Sequence, residues 1–162
     1  MIKFQKINLL HTNAKQIRQK IAHAKCELNQ SQDYWENLYP NLNIEQFYEV
    51  LWDVNVGNNV REFIYKTLYG AIAIENKLKA LKMSNGFCKV CNLEIETQKH
   101  LFLECQFKTE WRALDMHGLS EEDKMVFYFR NNVSRGTLLL VNKNIFETKW
   151  GIWLKRNKSK YN

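Results

Sequence analysis

The spacing of four potential metal ligands constrains this chain more than any other feature of its sequence. In FCKVCNLEIETQKHLFLECQF, residues 87–107, the pattern is Cys88-x2-Cys91-x8-His100-x4-Cys105. Two cysteines two residues apart can reach one ion from a tight turn, each thiolate about 2.3 Å from Zn²⁺. Three thiolates and an imidazole fill a tetrahedral sphere and leave no position for water or substrate. The pattern therefore predicts one structural zinc ion; the alternative is a set of buried cysteines unrelated to metal.

Composition places the chain among globular, mainly helical proteins. Its 162 residues are 45% hydrophobic and 13% aromatic, which is enough for one domain with a packed core. One proline and six glycines are few, and this favours helices over loop-rich folds. There is no apolar run long enough for a transmembrane helix, and no secretory signal peptide is visible. Three of the four cysteines lie within 18 residues at metal spacing, which favours a reducing, intracellular compartment, nuclear or cytoplasmic.

Positive charge is concentrated at the two ends of the chain. The formal net charge is +7; residues 1–26 carry six lysines and arginines and no acid, and residues 143–162 carry six against Glu147. The residues between them hold more acidic than basic side chains. Basic ends predict contact with a polyanion, either nucleic acid or an anionic membrane surface. The alternatives are solvated helix faces or, for the acid-free start, a mitochondrial transit peptide, which the scarcity of serine argues against.

Apolar spacing predicts an N-terminal amphipathic helix. One stripe recurs at intervals of three and four residues: Leu10, Ala14, Ile17, Ile21, Ala24 and Leu28. We therefore divide the chain into a basic helical arm, residues 1–30, and a helical zinc-binding domain with a basic C-terminal tail, residues 31–162. The stripe either docks on the body or, as a heptad-like seam through residues 10–28, pairs two chains. Cys26 is interpreted as a free thiol and not as a ligand.

The body is predicted to be a series of helices, so the fold class is all-α. Two short helices are broken near Pro40, and the second follows the N-cap Asn43. A long helix is predicted over 59–83, stopped by Ser84, Asn85 and Gly86. Further helices are predicted over 97–115, from the N-cap Ser120 with Asp123 three residues on, and over 143–157. Periodicity leaves residues 136–142 open between strand and helix. The many aromatic side chains are assigned to the core in preference to stacking on bases.

The predicted helix at 97–115 conflicts with the predicted metal site. His100 and Cys105 are five residues apart, which is a rotation of about 140° on an ideal α-helix. Their side chains would then not share a face. Either the helix begins at or after His100, or the two ligands converge from its flank.

The ligand region resembles a known family. The pattern Cys88-x2-Cys91, Glu96-Thr97-x2-His100-Leu101-Phe102-x2-Cys105, followed by Trp111, is similar to the zinc-binding domain near the C-terminus of non-LTR retrotransposon reverse transcriptases. The segment KWGIWLKRN at 149–157 resembles the ending found after that domain. The resemblance covers roughly residues 50–157. The middle gap of eight residues is longer than the four of retroviral zinc knuckles.

The resemblance implies RNA or DNA binding beside a polymerase, in a polyprotein fragment or a free-standing derivative. It carries over the metal ligands but not the polymerase, since two-metal chemistry needs paired carboxylates and the chain has no Asp-Asp pair. We therefore predict a non-enzymatic nucleic-acid-binding module without membrane association. The predicted phosphate contacts are basic residues of the two ends and basic residues near the predicted zinc ligands: Arg18, Lys20, Lys25, Lys82, Lys89, Lys99, Lys108, Lys155, Arg156, Lys158 and Lys160. The alternative function is a zinc-stapled protein-interaction adaptor that dimerises through the N-terminal helix.

Overall fold

The computed structural model describes residues 39–40 and 43–161, and these ranges are helical with no strand. In chain order the elements are α1 (Ile44–Asp53), α2 (Asn58–Leu68), α3 (Glu75–Ala80), a π-helical turn (His100–Glu104), a 3₁₀ helix (Gln106–His117), α4 (Glu121–Met125) and α5 (Arg135–Tyr161). The all-α prediction is confirmed. The predicted arm, residues 1–30, and the dimer seam within it lie outside the described residues.

Helix α5 is the central element of the core. It packs against α1, α2, the π-helical turn and the 3₁₀ helix, and Val141, Ile145, Phe146 and Ile152 on it are fully buried. Aromatic rings fill the space around α2, where Phe63 lies edge-on to neighbouring rings. Most of the described aromatic side chains are buried or packed against the core, as predicted. None of the described helices is long and apolar enough to span a membrane.

Two predicted helix starts are confirmed by their caps. The Asn43 side chain accepts a hydrogen bond of 3.0 Å from the amide of Gln46 at the start of α1. Ser120 and Asp123 form a reciprocal capping box at the start of α4. These caps satisfy amides that the first helical turn leaves without an intrahelical acceptor. Residues 136–142, left open by the sequence, belong to the first turns of α5.

The predicted long helix over 59–83 is wrong, because the chain turns at Gly70. Gly70 has φ +56°, its amide donates to the Thr67 carbonyl, and the Ala71 amide donates to the Lys66 carbonyl at 2.7 Å. These two bonds form a Schellman motif, which ends a helix where a glycine can adopt the left-handed conformation. Helix α3 is therefore a separate element. The segment between α3 and the π-helical turn, residues 81–99, is called the zinc loop below.

Candidate metal centre

Cys88 and Cys91 lie on a short hairpin that follows α3. The Cys88 amide donates to the Glu94 carbonyl at 2.8 Å and the Glu96 amide to the Gly86 carbonyl at 2.9 Å, which pairs Phe87 with Ile95. The turn closes through a bond from the Asn92 amide to the Cys88 carbonyl at 2.8 Å. Asn92 has φ +57°, a conformation that asparagine tolerates better than most residues. The hairpin thus holds both cysteines on one side of a tight turn.

A π-helical turn brings His100 and Cys105 to the same side, which resolves the conflict in the sequence. The Cys105 amide donates to the His100 carbonyl at 2.7 Å, the i to i+5 bond of a π-helix. The wider turn places Cys105 close to the face of His100, where an α-helix would rotate it away. Thr97 accepts a hydrogen bond from the His100 amide at 3.0 Å. The prediction of a regular helix over 97–115 is therefore wrong, because the backbone is π-helical before Cys105, extended at Cys105 and 3₁₀ after it.

The geometry of the four side chains fits a tetrahedral zinc ion. The Cys88 and Cys105 sulfurs are 3.8 Å apart, and the Cys91 sulfur is 3.4 Å from His100 Nε2. All four ligand atoms lie within 4.8 Å of one another. Ligands at ordinary Zn–S and Zn–N distances and tetrahedral angles would be about 3.8 Å and about 3.5 Å apart for these two pairs. Both measured pairs match these distances, so the cluster could hold a zinc ion.

Burial disfavours the thiolate form of two of the three cysteines in this cluster. Burial raises the pKa of Cys88 to about 12 and also raises the pKa of Cys105. Burial acts upward on Cys91 as well, but the amides of Leu93 and Glu94 and the His100 ring outweigh it and lower that pKa to about 7. A zinc ion would bind all three sulfurs as thiolates and compensate the negative charge.

A comparison with protein families matches residues 29–111, just over half of the chain, to the family described as zinc-binding in reverse transcriptase. The chain belongs to this family. The match contains all four cluster residues and ends at Trp111, before α4 and α5. No curated protein and no solved structure matches the chain.

The other residues of the family-like motif have structural tasks around the cluster. The Trp111 indole donates to the Phe102 carbonyl at 2.7 Å, which ties the 3₁₀ helix to the π-helical turn. Glu96 is fully buried, and its carboxylate accepts from the Glu75 amide at 2.8 Å. Since Thr97 caps the π-helical turn, these motif residues fix the backbone that presents His100 and Cys105.

Glu104 is a neighbour of the metal centre that the sequence analysis missed. One of its carboxylate oxygens lies 3.9 Å from Nδ1 of His100, the ring nitrogen that does not face the cysteines. Metal-bound histidines commonly direct their second nitrogen toward a carboxylate, which fixes the ring orientation. The His-x3-Glu spacing, one helical turn, was the available signal.

The structure corrects the assignment of Arg156 as a phosphate contact. Its side chain is 2% exposed and its guanidinium lies 2.6 Å from Glu96 and 3.1 Å from Glu75. Lys160 adds a second cation 2.7 Å from Glu75. This cluster of four charged groups joins the end of α5 to α3 and to the segment that leads from the hairpin to His100. No sequence pattern separates Arg156 from the exposed cations Lys155 and Lys158 beside it.

The other predicted phosphate contacts fall into three groups. Three form ion pairs: Lys99 with Glu121 at 2.9 Å, Lys155 with Glu110 at 2.6 Å, and Lys160 with Glu75. Four have no ion pair with any described residue: Lys82, Lys89, Lys108 and Lys158. Three lie outside the described residues: Arg18, Lys20 and Lys25. Of these residues, Lys89 adjoins Cys88 in the chain and Lys99 adjoins His100.

Proposed function

We propose that this protein is a non-catalytic, zinc-stabilised module that binds RNA or DNA, of the type associated with retrotransposon reverse transcriptases. The observation that carries the proposal is the Cys3His cluster at zinc geometry in a chain that belongs to the zinc-binding reverse transcriptase family. Reduced cysteines in such a site favour an intracellular location, nuclear or cytoplasmic.

The ligand set supports a structural role for the metal. Cys88, Cys91, His100 and Cys105 would supply all four positions of a tetrahedral ion, so no position remains for a reacting water. A structural zinc at this place would hold the hairpin against the π-helical turn and fix the surface that the hairpin presents.

Lysines without an ion pair to any described residue support an anionic ligand. Lys82, Lys108 and Lys158 are exposed and Lys89 is partly exposed, and none of the four is neutralised by a described carboxylate. If about six phosphates are contacted in all, the affinity should fall with salt with a log–log slope near −4 to −5.

The experiment is a fluorescence-anisotropy titration of the zinc-loaded protein with single-stranded RNA, single-stranded DNA and duplex DNA at several salt concentrations. We expect binding with a steep salt slope, and we expect Cys88→Ser with Cys91→Ser to lose both zinc and binding. Cys26→Ser replaces the one cysteine outside the predicted ligand set. It is the matched control and should keep both zinc and nucleic-acid binding.

Two results would count against the proposal. Equal binding by the zinc-free double variant would separate nucleic-acid binding from the metal. No binding of any of the three ligands at low salt would overturn the nucleic-acid function and favour the adaptor. In that case the solution mass of Ile17→Asp with Ile21→Asp, compared with the parent protein, would show whether residues 10–28 form a dimer.

A further inference from the structure

Exposed apolar side chains are concentrated in the segment of the chain that contains Cys88 and Cys91. Of the seven large apolar side chains exposed in the described part of the chain, four lie within residues 81–93. They are Leu81 at 67%, Met83 at 72%, Phe87 at 41% and Leu93 at 78% exposed. Single exposed apolar residues are ordinary, but a cluster of this kind on one short segment marks an interaction surface.

The same segment carries lysines without counter-ions. Lys77, Lys79, Lys82 and Lys89 form no ion pair with any described residue, and residues 76–93 contain no aspartate or glutamate. Elsewhere many surface cations are paired, as Lys66 is with Glu62 and Lys143 with Glu147. The segment therefore presents uncompensated positive charge together with apolar side chains.

The backbone of this segment is held in place from several directions. The C-terminus of α3 is closed by a second Schellman motif, in which the Met83 amide donates to the Leu78 carbonyl at 2.8 Å and Lys82 takes φ +58°. A Cβ on Gly86 would lie 2.7 Å from Cδ of Lys79, so the lysine stem lies directly on the hairpin. The exposed side chains thus stand on ordered backbone that the metal ligands adjoin.

We propose that this zinc-loop face, residues 77–93, binds the unpaired bases of single-stranded nucleic acid. The inference rests on the proposed function and specifies its ligand and its contact surface. Phe87 and the neighbouring leucine and methionine side chains would contact base faces, while the lysines contact phosphates. Stacking on bases and phosphate contacts together are the usual means of binding single strands without reading their sequence.

The combination of side chains favours a single strand over a duplex. Phosphate contacts alone would require only the lysines, and apolar side chains contribute nothing to them. Base faces are hidden in a stacked duplex and become available when the strand is unpaired. The uncompensated positive charge also excludes a basic protein partner, since like charges across an interface oppose association.

The first test compares apolar substitutions on two surfaces in an anisotropy titration with a single-stranded oligonucleotide. Phe87→Ala and the triple variant Leu81→Ser, Met83→Ser and Leu93→Ser should each weaken binding about tenfold or more. Leu140→Ser with Leu154→Ser, exposed apolar positions on α5, is the matched control and should bind like the parent. Phe87→Trp should retain binding, and zinc content confirms that each variant is folded at the metal site.

A second measurement separates base contacts from phosphate contacts. An abasic oligonucleotide of equal length should bind the parent protein about tenfold more weakly than the intact strand does. When Phe87→Ala is added to the triple variant, the abasic and the intact strand should bind with equal affinity. Replacing Lys77, Lys79, Lys82 and Lys89 by Gln should reduce the salt slope by about 3. Lys66→Gln with Lys143→Gln should leave the slope unchanged.

The outcomes distinguish this inference from the function on which it rests. If the parent binds single strands and the zinc-loop variants bind equally well, the assignment of the contact surface to residues 77–93 is wrong. The proposed nucleic-acid function would still stand. If the parent binds no nucleic acid, both are overturned; binding to vesicles of anionic phospholipid that the triple variant loses would then assign the face to a membrane surface. Duplex binding as tight as single-strand binding would also contradict the inference.

Discussion

Helix α5 buries two cations two turns apart, and the two are compensated in different ways. Arg156 lies between the carboxylates of Glu75 and Glu96, within 3.1 Å of each. Lys149 is equally buried, but its ammonium donates to the Met125 carbonyl at 2.7 Å and lies 5.0 Å above the Phe102 ring. It forms no ion pair with any described carboxylate. Carboxylates compensate the charge of Arg156, whereas a backbone carbonyl and the face of an aromatic ring compensate the charge of Lys149.

The difference shows how the middle of α5 and its C-terminal part are attached to the other described elements. The Arg156 cluster connects α5 to α3 and the zinc loop, elements with few buried apolar side chains of their own. Lys149 lies in the middle of the aromatic core, where apolar packing already holds α5. A buried charge pair contributes little net stability but is costly to break, so Arg156 fixes the position of the zinc loop, whereas Lys149 lowers the stability of the core around it.

The largest effect is expected from Arg156→Met. This change leaves the two buried carboxylates with Lys160 as their remaining cation, and breaking a buried pair costs about 3–5 kcal/mol. The free energy of unfolding, measured by urea denaturation of the zinc-loaded protein, should fall by that amount. Lys158→Met, an exposed position on the same helix, is the matched control and should change stability by less than about 0.5 kcal/mol.

The Arg156 effect should also depend on the metal. Because Glu96 belongs to the zinc loop, removal of zinc by a chelator should release this carboxylate and reduce the cost of Arg156→Met. An equal cost in metal-loaded and metal-free protein would mean that the charge cluster forms independently of the metal centre.

Much of this arrangement could be predicted from the sequence, and the part that could not depends on three-dimensional context. Ligand spacing identified Cys88, Cys91, His100 and Cys105 because neighbouring cysteines must converge locally. Caps such as Asn43 were visible because they act over three residues. Arg156 looked the same in sequence as Lys155 and Lys158, since its carboxylate partners are about 60 and 80 residues away along the chain.

Two local features of the sequence indicated where the predicted helices are interrupted, but the apolar periodicity predicted continuous helices there. Gly70 interrupts the apolar pattern that predicted a helix over 59–83, and a single glycine in a helical pattern is usually tolerated. The π-helical turn at His100 has no propensity signal of its own, because it exists to bring two ligands together. The rotation conflict between His100 and Cys105 was the evidence for it in the sequence.

The next largest effect is a pH dependence from Lys149. Burial lowers its pKa to about 7, against an ordinary value near 10.5 in the unfolded chain. Below pH 7 Lys149 is protonated in both the folded and the unfolded protein, and the full cost of burying its charge is present. Between pH 7 and 10.5 Lys149 has lost its proton in the folded protein but keeps it in the unfolded chain. Stability should therefore rise with pH across this window, by up to about 1.4 kcal/mol per unit.

Lys149→Met isolates this contribution from other groups that titrate in the same range. Urea denaturation of both proteins at pH 7, 8 and 9 with saturating zinc gives the difference in unfolding free energy at each pH. At pH 7 the variant should have a larger free energy of unfolding than the parent. This difference should become smaller as the pH rises. If the two proteins show parallel pH profiles, Lys149 keeps its ordinary pKa. Burial would then leave Lys149 charged, as it leaves Arg156.

The smallest effect is expected from Lys160→Gln, which tests whether the Arg156 cluster needs its second cation. Lys160 is 19% exposed and contacts Glu75 at 2.7 Å, so its removal should cost about 1 kcal/mol or less at pH 7. Although burial acts to raise it, the pKa of Glu75 is lowered by Lys160 and Ser84. The contribution of Glu75 is present above pH 4.5 and lost as the pH falls through its lower folded pKa.

The double variant gives the sharper result. In Arg156→Met, Lys160 is the remaining cation beside Glu75, so adding Lys160→Gln should cost more there than in the parent protein. Denaturation midpoints of the four proteins in this cycle measure the coupling between the two cations. If the two costs simply add, Lys160 is a surface residue that happens to lie near Glu75, and Arg156 alone holds the zinc loop to α5.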